Sequence, residues 1–276
     1  MTFVLLTGAT RGIGAAAAVE LARRGAELAL VGRDGERVRA VAERARAAGG
    51  GASVHEHVAD LELIGSVRRL AAELRERHGR IDVLANNAGA VFRSRRETAE
   101  GLERTFALNH LAPFLLTELL LDRIPAGGRV VTTSSDAHRA GLLDLADLQS
   151  TRSYSPMRVY GTSKLCNILF TRELARRAPQ LRANCFHPGV VRTGFGRNDG
   201  GLATIAITLA APFLRSPAHG ARSLVWLALS PQAAALTGAY VKDEKVLTPS
   251  LAAQDAELAR ELWERSAQLT GLSAAA

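Results

Sequence analysis

Short apolar runs alternate along this chain with longer stretches in which apolar residues recur at every third or fourth position. The first pattern marks strands buried on both faces and the second marks helices covering a sheet, so their alternation predicts βαβ units. Strands are expected over residues 3–7, 27–31, 53–58, 82–85, 129–133, 182–186 and 239–241. Helices are expected over 13–24, 35–47, 64–78, 98–122, 156–177, 218–229 and 254–269. No internal repeat or Pro/Ser-rich linker interrupts the series. The expected fold class is therefore α/β: one doubly wound domain over 1–276, with a predominantly parallel seven-stranded sheet and helices on both faces. Residues 137–155 and 194–216 lack strong periodicity and follow strands on the side where such sheets bind ligands. The second is expected to be a substrate lid, and residues 270–276 a flexible tail.

Composition adds mainly exclusions. Apolar residues make up 47% and charged residues 22%, a balance that belongs to a folded globular chain. A net charge of +8 raises a nucleic-acid partner, but the arginines are spread over helices and many have a glutamate three or four positions away. The tightest cluster, Arg93, Arg95 and Arg96, has only Phe92 beside it, so a stacking platform is missing and no nucleic-acid partner is expected. Cys166 and Cys185 stand in apolar runs and read as buried thiols of a reducing compartment. The seven histidines and two cysteines form no metal-ligand spacing. Phe3-Val4-Leu5-Leu6 leads straight into a glycine turn instead of a signal-peptide cleavage site. The longest apolar run, 202–214, is shorter than the roughly 20 residues a bilayer span needs. A cytoplasmic protein is expected, with an interfacial membrane contact of 202–214 as the rival to the lid.

Two motifs carry chemistry. Tyr160 and Lys164 are four residues apart on an expected helix and share one face. A neighbouring ammonium favours phenolate, which suits a general acid/base for carbonyl reduction or alcohol oxidation. Thr7-Gly8-Ala9-Thr10-Arg11-Gly12-Ile13-Gly14 forms a glycine turn between strand and helix, where backbone N–H groups and a helix N-terminus can meet a pyrophosphate. At the end of the second strand, Gly32 stands where a ribose-binding acid is common, and Arg33 can clamp a 2′-phosphate, with Arg11 as a second cation. NADP(H) is therefore expected over NAD(H), and Gly32→Asp is expected to shift the preference toward NADH. Asp34 could instead bind the ribose of NAD, but it opens a helix and reads as its N-cap.

Taken with Asn86-Asn87-Ala88-Gly89, Asn109, Ser134-Ser135 and Pro188-Gly189 followed by Thr193, these motifs resemble the short-chain dehydrogenase/reductase family over nearly the whole chain. The runs 165–174 and 187–191 look like its retinol-dehydrogenase-like branch. So does the 25-residue spacing between Ser135 and Tyr160, whose extra residues are expected beside the substrate. The resemblance implies a Rossmann fold and a tetrad. Tyr160 would exchange the proton, Ser135 would bond the substrate oxygen, Lys164 would hold the ribose and depress the tyrosine pKa, and Asn109 would hold a relay water. It also implies cofactor contacts from Gly8, Thr10, Arg11, Gly12, Ile13, Gly14, Arg33, Asp60, Asn87, Ala88, Gly89, Pro188, Gly189, Val190 and Thr193. The substrate class expected is a small lipophilic ketone, aldehyde or alcohol. A homodimer or homotetramer is compatible with the family.

Alternatives stay open at several residues. Ser134 competes with Ser135, and Asn87 could brace a loop instead of touching a ligand. His110, His138 and His187 could be bases, although Tyr160 already supplies one. A catalytically silent NADP(H)-sensing protein and a natural-product tailoring ketoreductase would both show these motifs.

Overall fold

Strands covered on both faces cannot leave polar side chains unpaired, and the apolar runs of this chain fold accordingly. A computed structural model describes residues 1–191 and 215–272. Seven parallel strands form the sheet: β1 (Phe3–Thr7), β2 (Glu27–Gly32), β3 (Val54–Val58), β4 (Val83–Asn86), β5 (Arg129–Thr133), β6 (Arg182–His187) and β7 (Tyr240–Lys242). Their spatial order is β3-β2-β1-β4-β5-β6-β7, so the chain reverses direction across the sheet between β1 and β4. An eighth strand, β8 (Lys245–Leu247), pairs antiparallel with β7 and corrects the expected count of seven. It was hidden because it is three residues long, exposed, and reached through a tight turn with Asp243 and Glu244 at positive φ.

The helices among the described residues are α1 (Gly12–Arg23), α2 (Gly35–Ala48), α3 (Ile64–Arg77), α4 (Arg104–Phe106), α5 (Ala112–Leu120), α6 (Pro156–Arg177), α7 (Pro217–Leu229) and α8 (Ala256–Thr270). Alternate residues of β1 show how they divide between two layers. Val4 and Leu6 join the core under α1, α2 and α7, whereas Phe3 and Leu5 join the core under α3, α5, α6 and α8.

The helix expected from residue 98 starts six positions later. Residues 98–102 turn instead, and Glu103 caps α4 by accepting from Thr105 N and Phe106 N. Between α4 and α5 the chain widens into a π turn, Ala107–Leu111, with Asn109 inside it. The tail expectation is corrected in part. Thr270 ends α8, Gly271 closes it in the left-handed conformation, and Arg68 donates to both carbonyls. Residues 273–276, Thr193 and nearly all of the expected lid lie outside the described residues.

Candidate active site

The residues singled out from sequence gather at the carboxyl edge of the parallel sheet, around the point where strand order reverses. The glycine turn follows β1. Gly8 has φ +66° and Gly12 φ +54°, conformations that side chains rarely adopt. A Cβ at Gly14 would sit 2.1 Å from the Gly8 carbonyl oxygen, so the turn closes only with hydrogen there. Arg11 precedes α1 without capping it through its side chain, which leaves the first N–H groups of α1 to another acceptor. Ile13 packs toward Gly220 of α7 and helps fix the angle of α1.

Beside the turn runs the strip after β4. Asn87 donates its amide to the carbonyls of Thr7 (3.0 Å) and Gly8 (3.2 Å), and the N–H groups of Asn87 and Ala88 donate to Thr7 Oγ1. Asn87 thus braces the glycine turn against the strip after β4. Thr7, which sequence reasoning passed over, joins the two loops. A Cβ on Gly89 would lie 3.1 Å from Asn109 Oδ1 and 3.3 Å from Lys164 Nζ, so this glycine admits both side chains to one space.

Asn109 is fully buried. Its Nδ2 donates to Ala90 O and to Ser163 Oγ at 3.0 Å each, and its Oδ1 accepts from Ala90 N at 2.9 Å. Ser163 in turn donates to the Tyr160 carbonyl at 2.7 Å, which ties the π turn to α6. Widenings of this kind recur at functional sites.

The two serines point in different directions. Ser134 Oγ donates 2.8 Å into the helix at Lys164 O, whereas Ser135 hydrogen-bonds the Tyr160 hydroxyl. Ser135 Oγ already accepts from Ala137 N at 3.2 Å, so its own hydrogen can go to the phenol. Lys164 Nζ donates to Thr133 O at 3.1 Å and lies 5.5 Å from the Tyr160 ring centroid. Asn167, one turn further along α6, donates to the same Thr133 carbonyl and was missed from sequence, although its spacing puts it on the Tyr160–Lys164 face.

The electrostatics differ from the sequence expectation. Burial pushes the Tyr160 phenol up to about 12, and the Ser135 hydrogen bond only partly offsets it. Burial lowers Lys164 to about 8. Burial is the leading cause for both groups, so desolvation sets each toward its neutral form.

The remaining expectations sort as follows. Asp34 is an N-cap, accepting from Arg37 N at 3.2 Å. Asp60 accepts from Glu62 N in a short local turn. Arg33 is half-exposed and touches Glu62 at 3.3 Å, but Arg104 holds Glu62 more closely, at 2.7 Å. Gly189 has φ +81° and lies under the Arg215 side chain, while Val190 is exposed. His110 is a core residue among Phe106, Phe114 and Phe170, bonded to Ser266 Oγ and lowered by burial to about 4. His138 and His187 are engaged with the serine turn itself, His138 at the Ser135 carbonyl and His187 at Asp136. The excursion of residues 141–155 is anchored at both ends: Leu142 exchanges hydrogen bonds with Thr162 Oγ1, and Tyr154 donates to Phe92 O at 2.8 Å.

The model of the short chain dehydrogenase family matches residues 2–200. The chain belongs to that family. As a short-chain dehydrogenase it is an oxidoreductase, and its relatives place it in the retinol-dehydrogenase-like branch. A Streptomyces sp. (strain C5) protein named for daunorubicin C-13 ketoreduction, an assignment its name marks as provisional, is 48% identical over 97% of this chain and 92% of its own. Human retinol dehydrogenase 13 is 40% identical over 98% of this chain and 85% of its own. Among solved structures, a short-chain dehydrogenase from Burkholderia cenocepacia in complex with NADP is 26% identical, with a TM-score of 0.70 over 87% of this chain and 95% of that one. No helix among the described residues is long and apolar enough to cross a membrane.

Proposed function

We propose that this short-chain dehydrogenase is an NADP(H)-dependent reductase of a lipophilic ketone or aldehyde, also able to run the alcohol oxidation. The observation that carries the reading is the convergence of Ser135 and Lys164 on Tyr160, next to a glycine turn that only glycine can close. The residues fit a dinucleotide: the Gly8–Gly14 turn and the uncapped start of α1 meet a pyrophosphate, and Gly89 opens the space in front of Lys164. When bound, the nicotinamide supplies the hydride received by the carbonyl carbon. Tyr160 delivers the proton to the carbonyl oxygen, and a phenol held up near 12 is reliably protonated for that task. Ser135 donates a hydrogen bond to the same oxygen as charge develops on it. Lys164 would hold ribose hydroxyls, and Asn109 would hold a relay water. Arg33 and Arg11 would take the 2′-phosphate, Asp60 would meet the adenine, and Pro188, Gly189 and Val190 would orient the nicotinamide.

The ketone of a polycyclic natural product is favoured as substrate, because the relative named for daunorubicin ketoreduction is 48% identical against 40% for human retinol dehydrogenase 13. The test is NADPH oxidation against a panel of anthracycline-type ketones, retinal and small charged carbonyls, in the wild type and in Tyr160→Phe. Turnover on the polycyclic ketones, falling by at least about 10² in the variant, is expected. NADPH binding without turnover across the panel would instead leave a cofactor-sensing protein.

A further inference from the structure

The turn that carries Ser135 is held from behind by a polar cluster built from three distant segments. Directly after Ser135, the short 3-10 turn Asp136–Ala140 begins. The Asp136 carboxylate accepts from Tyr240 Oη at 2.7 Å and from Lys242 Nζ at 2.8 Å, and His187 Nε2 lies 3.2 Å from it. Asp136 also donates its N–H to His187 Nδ1 at 3.2 Å. With Nδ1 an acceptor, the neutral ring carries its proton on Nε2, facing the carboxylate. Burial lowers His187 to about 4, which keeps it in that neutral form.

A second anchor closes on the same place. His138 Nε2 accepts from Ser250 N at 3.1 Å, so Nδ1 bears the proton and donates to the Ser135 carbonyl at 2.7 Å. Its ring meets Tyr240 edge-on at 5.0 Å. Tyr240, which is 2% exposed, thus backs both side chains that fix the turn.

Burial opposes a charged Asp136, yet the Lys242 and Tyr240 hydrogen bonds outweigh it and hold the carboxyl below its ordinary value. Apolar side chains could fill such a space as stably, but they would not fix a direction. The two hydrogen bonds from Tyr240 and Lys242 do. These groups bond the turn that carries Ser135, so their effect reaches the chemistry through Ser135.

We propose that Asp136 is a positioning residue for Ser135: its carboxylate pins the serine turn to the ends of β6 and β7, so that Ser135 Oγ stays on the Tyr160 hydroxyl. The inference rests on the role of Ser135 given above. His187 also leads into Pro188-Gly189, so the same cluster joins the serine turn to the segment after β6.

The test is a cycle of four proteins: wild type, Asp136→Ala, Ser135→Ala and the double variant, each assayed for kcat at saturating NADPH and for thermal stability. Loosening the turn by a fraction of an ångström is expected to lower kcat about tenfold in the wild-type background. The KM for NADPH should stay within about twofold, because the glycine turn is untouched. In the Ser135→Ala background the same change should cost less than about twofold, since the group it positions is gone. A merely structural aspartate would lower kcat equally in both backgrounds, and that result overturns the proposal, as does an unchanged kcat in Asp136→Ala. Wild-type kcat in Ser135→Ala would overturn the role of Ser135 as well. Should Asp136→Ala fail to fold, Tyr240→Phe removes one donor oxygen and carries the same cycle, with a loss of about threefold expected in the wild-type background alone.

Discussion

Exchanging Ser134 and Ser135 for alanine one at a time separates two roles that adjacent hydroxyls hold. Ser134→Ala removes a fully buried hydrogen bond of 2.8 Å to the Lys164 carbonyl, worth about 1 kcal/mol net. In a chain of this size that lowers Tm by roughly 2–4 °C. The helix keeps its own hydrogen bonds, so Lys164 and Tyr160 remain in place and kcat should stay within about twofold. Ser135→Ala removes the cap on Ala137 N, at a similar stability cost of about 1 kcal/mol. It also removes the donor to the Tyr160 hydroxyl and, in the proposed reaction, to the developing oxyanion. Loss of one such donor costs about 10²–10³ in kcat. The two variants should therefore melt alike and differ in turnover by about two orders of magnitude. Steady-state kinetics with NADPH beside a melting curve for each protein decides the matter. A large loss of kcat in Ser134→Ala with near-normal turnover in Ser135→Ala would refute the assignment.

Arg33→Ala is expected to weaken NADPH about tenfold or more, and NADH hardly at all, because the lost charge-assisted bonds go only to the 2′-phosphate. Fluorescence titration reads this, and equal weakening of both cofactors would speak against Arg33. Glu62 is not stranded by the change, since Arg104 still pairs with it. Gly32→Asp, which the sequence presents as a switch toward NADH, should instead lower Tm, because its Cβ would meet Thr10 Cγ2 at 2.4 Å and Val38 Cγ2 at 2.8 Å. Acid should destabilise the fold through His110. Its ring is lowered from 6.5 to about 4 by burial, so the unfolded chain takes up a proton first as pH falls. The contribution is intact above about pH 6.5 and is lost progressively down to pH 4, about 3 kcal/mol in all. Urea midpoints measured between pH 7 and pH 4.5 should fall, and less steeply in His110→Asn. An identical slope in that variant would locate the effect in the other histidines.

The alternation of apolar runs and helical segments determined the seven parallel strands, because strands covered on both faces favour largely apolar runs. Local steric demands determined the glycine turn, and helical spacing determined that Tyr160 and Lys164 share a face. Each of these depends on neighbours within a few residues. Tertiary structure alone decided the rest. Successive side chains in extended backbone point to opposite sides, so one of Ser134 and Ser135 had to face α6 and the other the site. Which one did so depends on where α6 packs. The sequence could place an ammonium near a phenol, but not the burial that moves Tyr160 up to about 12 and Lys164 down to about 8. Desolvation is a property of everything packed around a group. Strand β8 escaped because three exposed residues carry no pattern, and its pairing with β7 comes from the turn at Asp243-Glu244. The cluster around Asp136 escaped for the same kind of reason. Residues 136, 187, 240 and 242 meet only because β5, β6 and β7 lie side by side, an adjacency fixed by the packing of the whole sheet.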